Sequence, residues 1–573
     1  MSHLHLLNRE LTIPQNQPLN ARQIKNNEGG YVYKTSDTNR LERFIILGSS
    51  GGTYYKNQKD LTVENAKFVL ELIQASGESV VQTVLDISLA GRAPKQDTGI
   101  FVLALCAAYG NEKVRRAAYL EMPKVCRTQT TLFQFLNYIE PHRTHTVAGK
   151  NHMTWSAGLR RAVANWYLSK SVEQMAYQMV KYRERRYKRE RGGDRIWNAR
   201  NAFRVSHPIL DEDDAARRAL IDWEMKRGNN LLIASHDSLK LVQAFDEAWS
   251  GNVTQARKIQ LASLLTHEMI PDEWKSDPKV WEAMLPTMKI DALTRNLSVM
   301  TRNDLLKPRS DATKMVIQKL SNGETFKKER MHPAKFLVAL GIYSSGGKGG
   351  RSNAEPFIPT REIADALDNA YYLAYPTVQP AGKRNLIAVD CSGSMEWPQN
   401  MAGPGLTARN AASALALVQV ATEPHVQMFG FSSGESLSRG GSGITEIPAQ
   451  PGHRIEDVNK MMERISAGGT DCSLPMKIAM EQNWKIDTFQ IYTDNETGHG
   501  AIHPMKALQK YRDKMGIDAK LVVVAMTPTE FSIADPKDLG SLDVSGFDTN
   551  VPILIADHSR GATAPGQSAN EIE

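Results

Sequence analysis

Asp390-Cys-Ser-Gly-Ser394 places one carboxylate and two hydroxyls at alternate positions of a short segment that follows an apolar run. A turn at a strand end can aim such a set at one point while leaving other directions to water. Hard oxygens in that number suit Mg²⁺, which prefers six-fold geometry and holds on to several waters. Two more oxygens come from far downstream: Thr470, after Gly468-Gly469, and Asp494, at the end of the run Thr488-Phe-Gln-Ile-Tyr-Thr-Asp494. Asp390 and the serines would also serve merely to cap a turn and a helix; the later hydroxyl and the strand-ending carboxylate favour a cation. Neither Ser392 nor Ser394 has a His/Asp partner supported by the sequence. A metal with hydroxyl ligands and no evident base reads as a docking ion rather than a catalyst, so no catalytic residue is expected. Cys391 and Cys472 flank the site, but alternation turns them inward, and Mg²⁺ disfavours sulfur.

A second constellation has the opposite character. Residues 181–195 hold eight basic side chains against three acidic ones, with Tyr182 and Tyr187 interleaved. Lys181, Arg183, Arg185, Arg186, Lys188, Arg189 and Arg191, followed by Arg204 and His207, can neutralise phosphates, and the tyrosines offer stacking faces for unpaired bases. Taken alone, such a run is as often a solvated helix face. Its setting favours nucleic acid: residues 1–380 carry a net charge of +14, whereas residues 381–573 carry −7. Charge does not distinguish RNA from DNA.

The elements that must position these residues divide the chain at the same place. At 573 residues, roughly two to four domains are expected. With 41% hydrophobic and 23% charged residues the composition is that of a folded protein, not a disordered one. Over 60–372, apolar residues recur at helical spacing in segments such as Asn65-Ala-Lys-Phe-Val-Leu-Glu-Leu-Ile73, Ile100-Phe-Val-Leu-Ala-Leu-Cys-Ala-Ala108 and Gln260-Leu-Ala-Ser-Leu-Leu265. Short helices without heptads predict stacked helical hairpins, an α-solenoid of the HEAT kind. The glycine-rich stretches 48–53 and 346–353 lack the Lys-Ser/Thr of a phosphate loop and read as loops.

After Gly382 the period changes. Asn385-Leu-Ile-Ala-Val-Asp390, Val426-Gln-Met-Phe-Gly-Phe431, the run ending at Asp494, Lys520-Leu-Val-Val-Val-Ala525 and Val551-Pro-Ile-Leu-Ile-Ala556 predict strands covered on both faces. Helical stretches at 409–421, 455–465, 475–483 and 504–515 alternate with them, which predicts a doubly wound α/β domain. The tail 561–573 is expected to be disordered. No apolar run reaches the roughly 18–20 residues of a membrane span, and the first residues show no secretory signal. Four cysteines without CxxC spacing fit a reducing cytoplasm.

Two resemblances follow from these residues. Asp390, Ser392 and Ser394, with Thr470 and Asp494 direct or through water, are similar to the metal-ion-dependent adhesion site of von Willebrand A domains. The whole chain resembles the Ro autoantigen family, a TROVE domain followed by a von Willebrand A domain. In the first half the matching segments are Gly29-Gly-Tyr-Val-Tyr33, Arg40-Leu-Glu-Arg-Phe-Ile-Ile-Leu-Gly-Ser49, Gly51-Gly-Thr-Tyr-Tyr55, Gly91-Arg-Ala-Pro-Lys-Gln96, Arg204-Val-Ser-His207, Leu293-Thr-Arg-Asn-Leu297 and His332-Pro-Ala-Lys335. In the second half they are Gly468-Gly-Thr-Asp-Cys-Ser-Leu-Pro-Met476, Thr493-Asp-Asn-Glu-Thr497 and Ile533-Ala-Asp-Pro536.

The resemblance implies an N-terminal arm at 1–27, a TROVE domain at 28–375 forming a ring of HEAT-like repeats, a von Willebrand A domain at 381–558 closing it, and a tail at 559–573. It implies a monomeric ring that binds small structured Y RNA on its outer basic surface and single-stranded 3′ ends of misfolded RNA in its hole, in noncoding RNA surveillance. Lys181 and Arg185, in a matching Lys-Tyr-x-x-Arg, and His207 fall on the family's Y RNA-binding positions. Extra residues separate Arg185 from Arg204, and the segments 346–353 and 401–409 are longer than usual. In bacterial relatives a Y RNA tethers polynucleotide phosphorylase. A different class stays open: a protein-docking scaffold whose metal recruits an acidic partner, the basic patch being incidental.

Overall fold

The helix Asp97–Tyr109 buries every side chain from Thr98 to Ala107, as an apolar segment enclosed by helices on several sides must. It packs against the helices Lys67–Ala90, Glu112–Val125 and Gln129–Ile139. The computed structural model describes residues 12–47, 66–140, 144–147, 150–153, 155–182, 197–225, 231–347, 355–375, 378–396, 406–433, 443–465 and 468–561. Short helices of the same kind continue to Arg361–Leu373, many of them started by a polar cap. The Thr128 and Ser171 hydroxyls accept from the amides of Thr131 and Gln174, whose side chains return the bond to the cap residue. Packing of consecutive hairpins into one continuous core is the α-solenoid expected from the spacing.

Strands interrupt the helical region in two places. β1 (Gln23–Lys25) and β2 (Tyr31–Lys34) precede the first helix, and β3 (Thr144–Val147) pairs antiparallel with β4 (Lys150–Met153). None was legible from the hydrophobic pattern, because each is only three or four residues long.

The second half is a six-stranded sheet of β5 (Arg384–Asp390), β6 (His425–Phe431), β7 (Ile444–Ile447), β8 (Thr488–Thr493), β9 (Lys520–Ala525) and β11 (Ser541–Ser545), in the order β11-β9-β8-β5-β6-β7. All neighbours are parallel except β7, which runs antiparallel to β6 at the edge. Alternation divides the strands between two faces. Ile387, Val389, Val522 and Val524 pack with helices Ala408–Thr422, Ile455–Met462 and Val551–Arg560. Leu386, Ala388, Ile491 and Val523 pack with Leu474–Glu481 and Pro504–Met515.

One expected strand is a helix: 551–556 opens the helix Val551–Arg560. Its run of apolar side chains suits either element. Pro552 in the first turn and Gly561 in a left-handed conformation (φ 86°) after the last turn are the signals of a helix. All four cysteines are buried and none is in a disulfide. Among the described residues no helix is long and apolar enough to cross a membrane.

The α/β domain touches both ends of the helical region, which closes the chain into a ring. From the first helix, Asp37–Leu47, the fully buried Arg43 donates 2.9 Å hydrogen bonds to the carbonyls of Thr529 and Phe531 and pairs with Asp543. Arg92 joins Asp548 (2.6 Å) and Glu42 (3.0 Å). From the far end, Asp365 pairs with Arg454, and His332 Nε2 meets the Phe547 carbonyl at 2.6 Å. The short strand β10 (Phe531–Ser532) adds to β2, so a three-stranded sheet is shared by the two ends of the sequence.

Candidate metal centre and basic surface

β5 is the point at which the strand order reverses, with β6 on one side and β8 on the other. Ligands of open α/β sheets settle in the crevice at that point, beyond the carboxyl ends of the strands. Asp390 ends β5, and Asp494 follows β8. The 468–470 loop is drawn over them by the amide of Gly393, which donates to the Gly468 carbonyl at 3.3 Å. Asp390, Ser392, Ser394 and Asp494 lie at these adjoining strand ends with Thr470 on the overlying loop, and each of the five is at least 95% buried.

Their hydrogen bonds leave two of these oxygens free. Asp390 Oδ1 accepts from the Ser392 amide (2.9 Å) and Oδ2 from the Thr493 hydroxyl (2.7 Å). The Ser392 and Ser394 hydroxyl oxygens lie 3.1 Å apart. Asp494 Oδ1 accepts from the Glu496 amide at 3.0 Å. Thr470 Oγ1 and Asp494 Oδ2 are buried without a hydrogen-bond partner, a costly condition that a cation would relieve. Among the described residues no three His, Cys, Asp or Glu side chains could hold a metal by themselves. A ligand set that depends on hydroxyls suits a hard ion of the Mg²⁺ kind. When bound, such an ion would supply a positive charge with open positions for an acidic group.

Electrostatics agree with that fit. Burial, reinforced by the charge of Asp494, raises the Asp390 carboxyl, and burial raises Asp494 as well. Two further carboxylates absent from the sequence reading crowd the same crevice. Burial pushes Glu496 up to about 7 against the hydrogen bonds of Asn27, and Glu28 rises to about 9 through burial and then the charges of Asp390, Asp494 and Glu496. Four carboxyl groups held away from water raise one another in this way unless a cation compensates them. Glu496 lies inside the quoted Thr493–Thr497 segment and was within reach of sequence reasoning. Glu28 is separated from the site by most of the chain, and no sequence spacing points to it.

The basic residues have a different setting. Arg183, Arg185, Arg186, Lys188, Arg189 and Arg191 lie outside the described residues. Lys181 ends the helix Val172–Lys181 and is largely buried. It contacts Glu268 at 3.4 Å and the Tyr177 hydroxyl at 3.3 Å, and it stands 5.5 Å from the ring centres of Tyr177 and Tyr182. It lines a cavity of about 720 Å³ together with Arg127, Lys170, Tyr177, His267 and Lys289. Arg204 and His207 are exposed at the end of the helix Ala199–Ser206 and do not line that cavity. His207 holds a left-handed backbone (φ 46°), uncommon for a residue with a side chain.

The family model of the TROVE domain matches residues 24–231 and 229–357, and that of the Ro60 vWA domain matches 384–559. The chain belongs to the Ro60 family. Two curated relatives of this family are named RNA-binding protein RO60. The one from Deinococcus radiodurans is 36% identical, over 96% of this chain and 98% of its own length. The one from Caenorhabditis elegans is 30% identical, over 94% of this chain and 90% of its own length. The crystal structure of the Deinococcus radiodurans RO (RSR) protein has a similar fold, with a TM-score of 0.63 and 34% identity, covering 92% of this chain and all of that one. The ring of helices and the α/β domain are thus the architecture of the Ro60 family, with the Asp390 crevice inside its vWA domain.

Proposed function

We propose that this protein is an RNA-binding ring of Ro type. Small structured, Y-like RNA binds the outer basic surface, and single-stranded 3′ ends of misfolded RNA enter the central hole, in noncoding RNA surveillance in the cytoplasm. The observation that carries the reading is likeness along nearly the whole chain, through both domains, to two proteins named RNA-binding protein RO60. The positive charge of residues 1–380 supports it, since counterion release from phosphates drives such binding. In this reading the ring works as a monomer without catalysis, an Mg²⁺ ion in the Asp390 crevice serves docking, and bound Y-like RNA tethers an exoribonuclease such as polynucleotide phosphorylase.

Purification of the tagged full-length protein tests the proposal, followed by its 260/280 nm absorbance ratio and sequencing of whatever RNA comes with it. Enrichment of one or a few small structured RNAs is the expected result. A preparation free of nucleic acid that also fails to bind added structured RNA would overturn it and favour the protein-docking scaffold.

A further inference from the structure

Residues 15–34 run across the mouth of the cation crevice and are bonded to it at successive points. The Gln15 amide donates to the Gly500 carbonyl at 2.9 Å, and Gln15 Nε2 donates to Asp471 Oδ1 and the Ile502 carbonyl, both at 2.8 Å. Asn26 Nδ2 donates to the Thr497 carbonyl at 2.8 Å. The amides of Asn27 and Glu28 both donate to Glu496 Oε2, at 2.8 and 3.2 Å. Approach is close enough that Gly30 can carry no side chain, since a Cβ there would lie 1.7 Å from the Thr497 carbonyl oxygen.

This strap carries one carboxylate inward. The Glu28 side chain is 10% exposed, and its Oε1 lies 3.3 Å from His499 Nδ1. Its carboxyl also faces the backbone of Thr470, the residue whose hydroxyl is buried without a partner. Glu28 Oε2 is itself buried without a partner, as are Thr470 Oγ1 and Asp494 Oδ2. Three buried oxygens without a partner, on three separate stretches of chain, thus line the same crevice, where the charges of Asp390 and Asp494 act on Glu28. A carboxylate seated among other carboxylates, with an oxygen to spare, works against the docking of its own strap unless a cation lies between them.

Resting on the metal reading above, we propose that the N-terminal strap is an intramolecular ligand of the cation site, with Glu28 as the group that engages the ion. Cation binding and strap docking then favour each other, as linkage requires. Glu28 also occupies the seat that an acidic partner would need, so such a partner gains the ion only when the strap leaves.

The test uses the full chain, Mg²⁺ titrated by calorimetry, and hydrogen exchange of residues 23–34 with and without Mg²⁺, for wild type, Glu28→Gln, Glu28→Asp and Asp390→Asn. Wild type is expected to bind one Mg²⁺ and to gain protection in the strap on binding. Glu28→Gln should bind Mg²⁺ roughly tenfold or more weakly, yet without metal its strap should be better protected than that of wild type. That opposite sign separates a ligand from a merely structural residue. Glu28→Asp keeps the charge but shortens the reach, and should also lose affinity. Mg²⁺ binding that is equal in wild type and both Glu28 variants, with strap exchange indifferent to metal, would overturn the proposal while leaving the metal site standing. Absence of Mg²⁺ binding to wild type would remove the metal site itself, and Asp390→Asn marks that baseline.

Discussion

At the Asp390 crevice each of the five expected side chains is at least 95% buried, at strand ends or on the loops beside them, whereas Arg204 and His207 stand exposed at the end of one helix. As a cation site, the first region would work by geometry: a few oxygens must converge, and one missing oxygen changes the site outright. As the proposed RNA surface, the second would work by field, in which many cations each add a share and none is indispensable. Lys181 belongs to neither pattern, since it is enclosed with Glu268 and two tyrosines and must give up that pair before it can meet a phosphate. The contrast teaches that the two halves should respond differently to single substitutions, sharply at the crevice and by degrees on the basic surface.

The largest effect that could break the comparison is at Asp390. Asp390→Ala should lower Mg²⁺ affinity at least about 100-fold, beyond what loss of an outer-shell partner costs, with RNA affinity within about twofold of wild type. Calorimetry with Mg²⁺ and a filter-binding curve with RNA read the two arms. A parallel fall in RNA affinity would show that the regions act as one site.

Next in size is the pH dependence of the joint between the halves. His332 Nδ1 accepts from the Ala334 amide at 3.1 Å, which leaves Nε2–H to donate to the Phe547 carbonyl. Burial pushes this imidazole down to about 4. The unfolded chain, with the ordinary value of about 6.5, binds the proton more readily between those two values. Stability is therefore full above about pH 6.5 and falls as pH drops toward 4, by an amount on the order of 3 kcal/mol. Urea midpoints of wild type against His332→Gln across that window should show the wild-type slope flattened in the variant. Identical slopes would remove His332 as the cause.

A smaller effect is expected of Gly30→Ala, which forces the strap off the Thr497 carbonyl and should cost on the order of 1–3 kcal/mol. Faster hydrogen exchange at 23–34, with RNA binding unchanged, is the expected reading; wild-type exchange would contradict the close approach. The smallest effects belong to the surface. Arg204→Ala should reduce the salt slope of RNA binding by roughly 0.7–0.9 if it meets one phosphate. His207→Ala should change affinity with the slope nearly intact, because a neutral ring stacks or hydrogen-bonds without releasing counterions. Lines that superimpose on wild type in both variants would take this helix end out of the RNA surface.

The same difference between regions explains what could be read in advance. Strands β5, β6, β8 and β9 were legible because each is a bounded apolar run, and the cation residues because Asp390 to Ser394 are contiguous and Asp494 closes a strand. β7 and β11 are short and partly polar, and the helix at 551–560 hid in an apolar run that both elements tolerate. Glu28 and Gln15 were illegible for a topological reason: only ring closure brings the beginning of the chain to residues 471–502. On the basic side, composition named the charges but could not foresee that Lys181 would be paired and enclosed.

In the proposed function the helical ring, not the acidic α/β domain, holds RNA by its phosphates. The most direct measurement is the affinity of the wild-type protein for a small structured RNA as a function of salt. Several phosphate contacts predict that log K falls linearly with log salt, losing roughly 0.7–0.9 per contact for a slope of several units. A slope near zero, or binding abolished by removing Mg²⁺ at every salt concentration, would contradict it.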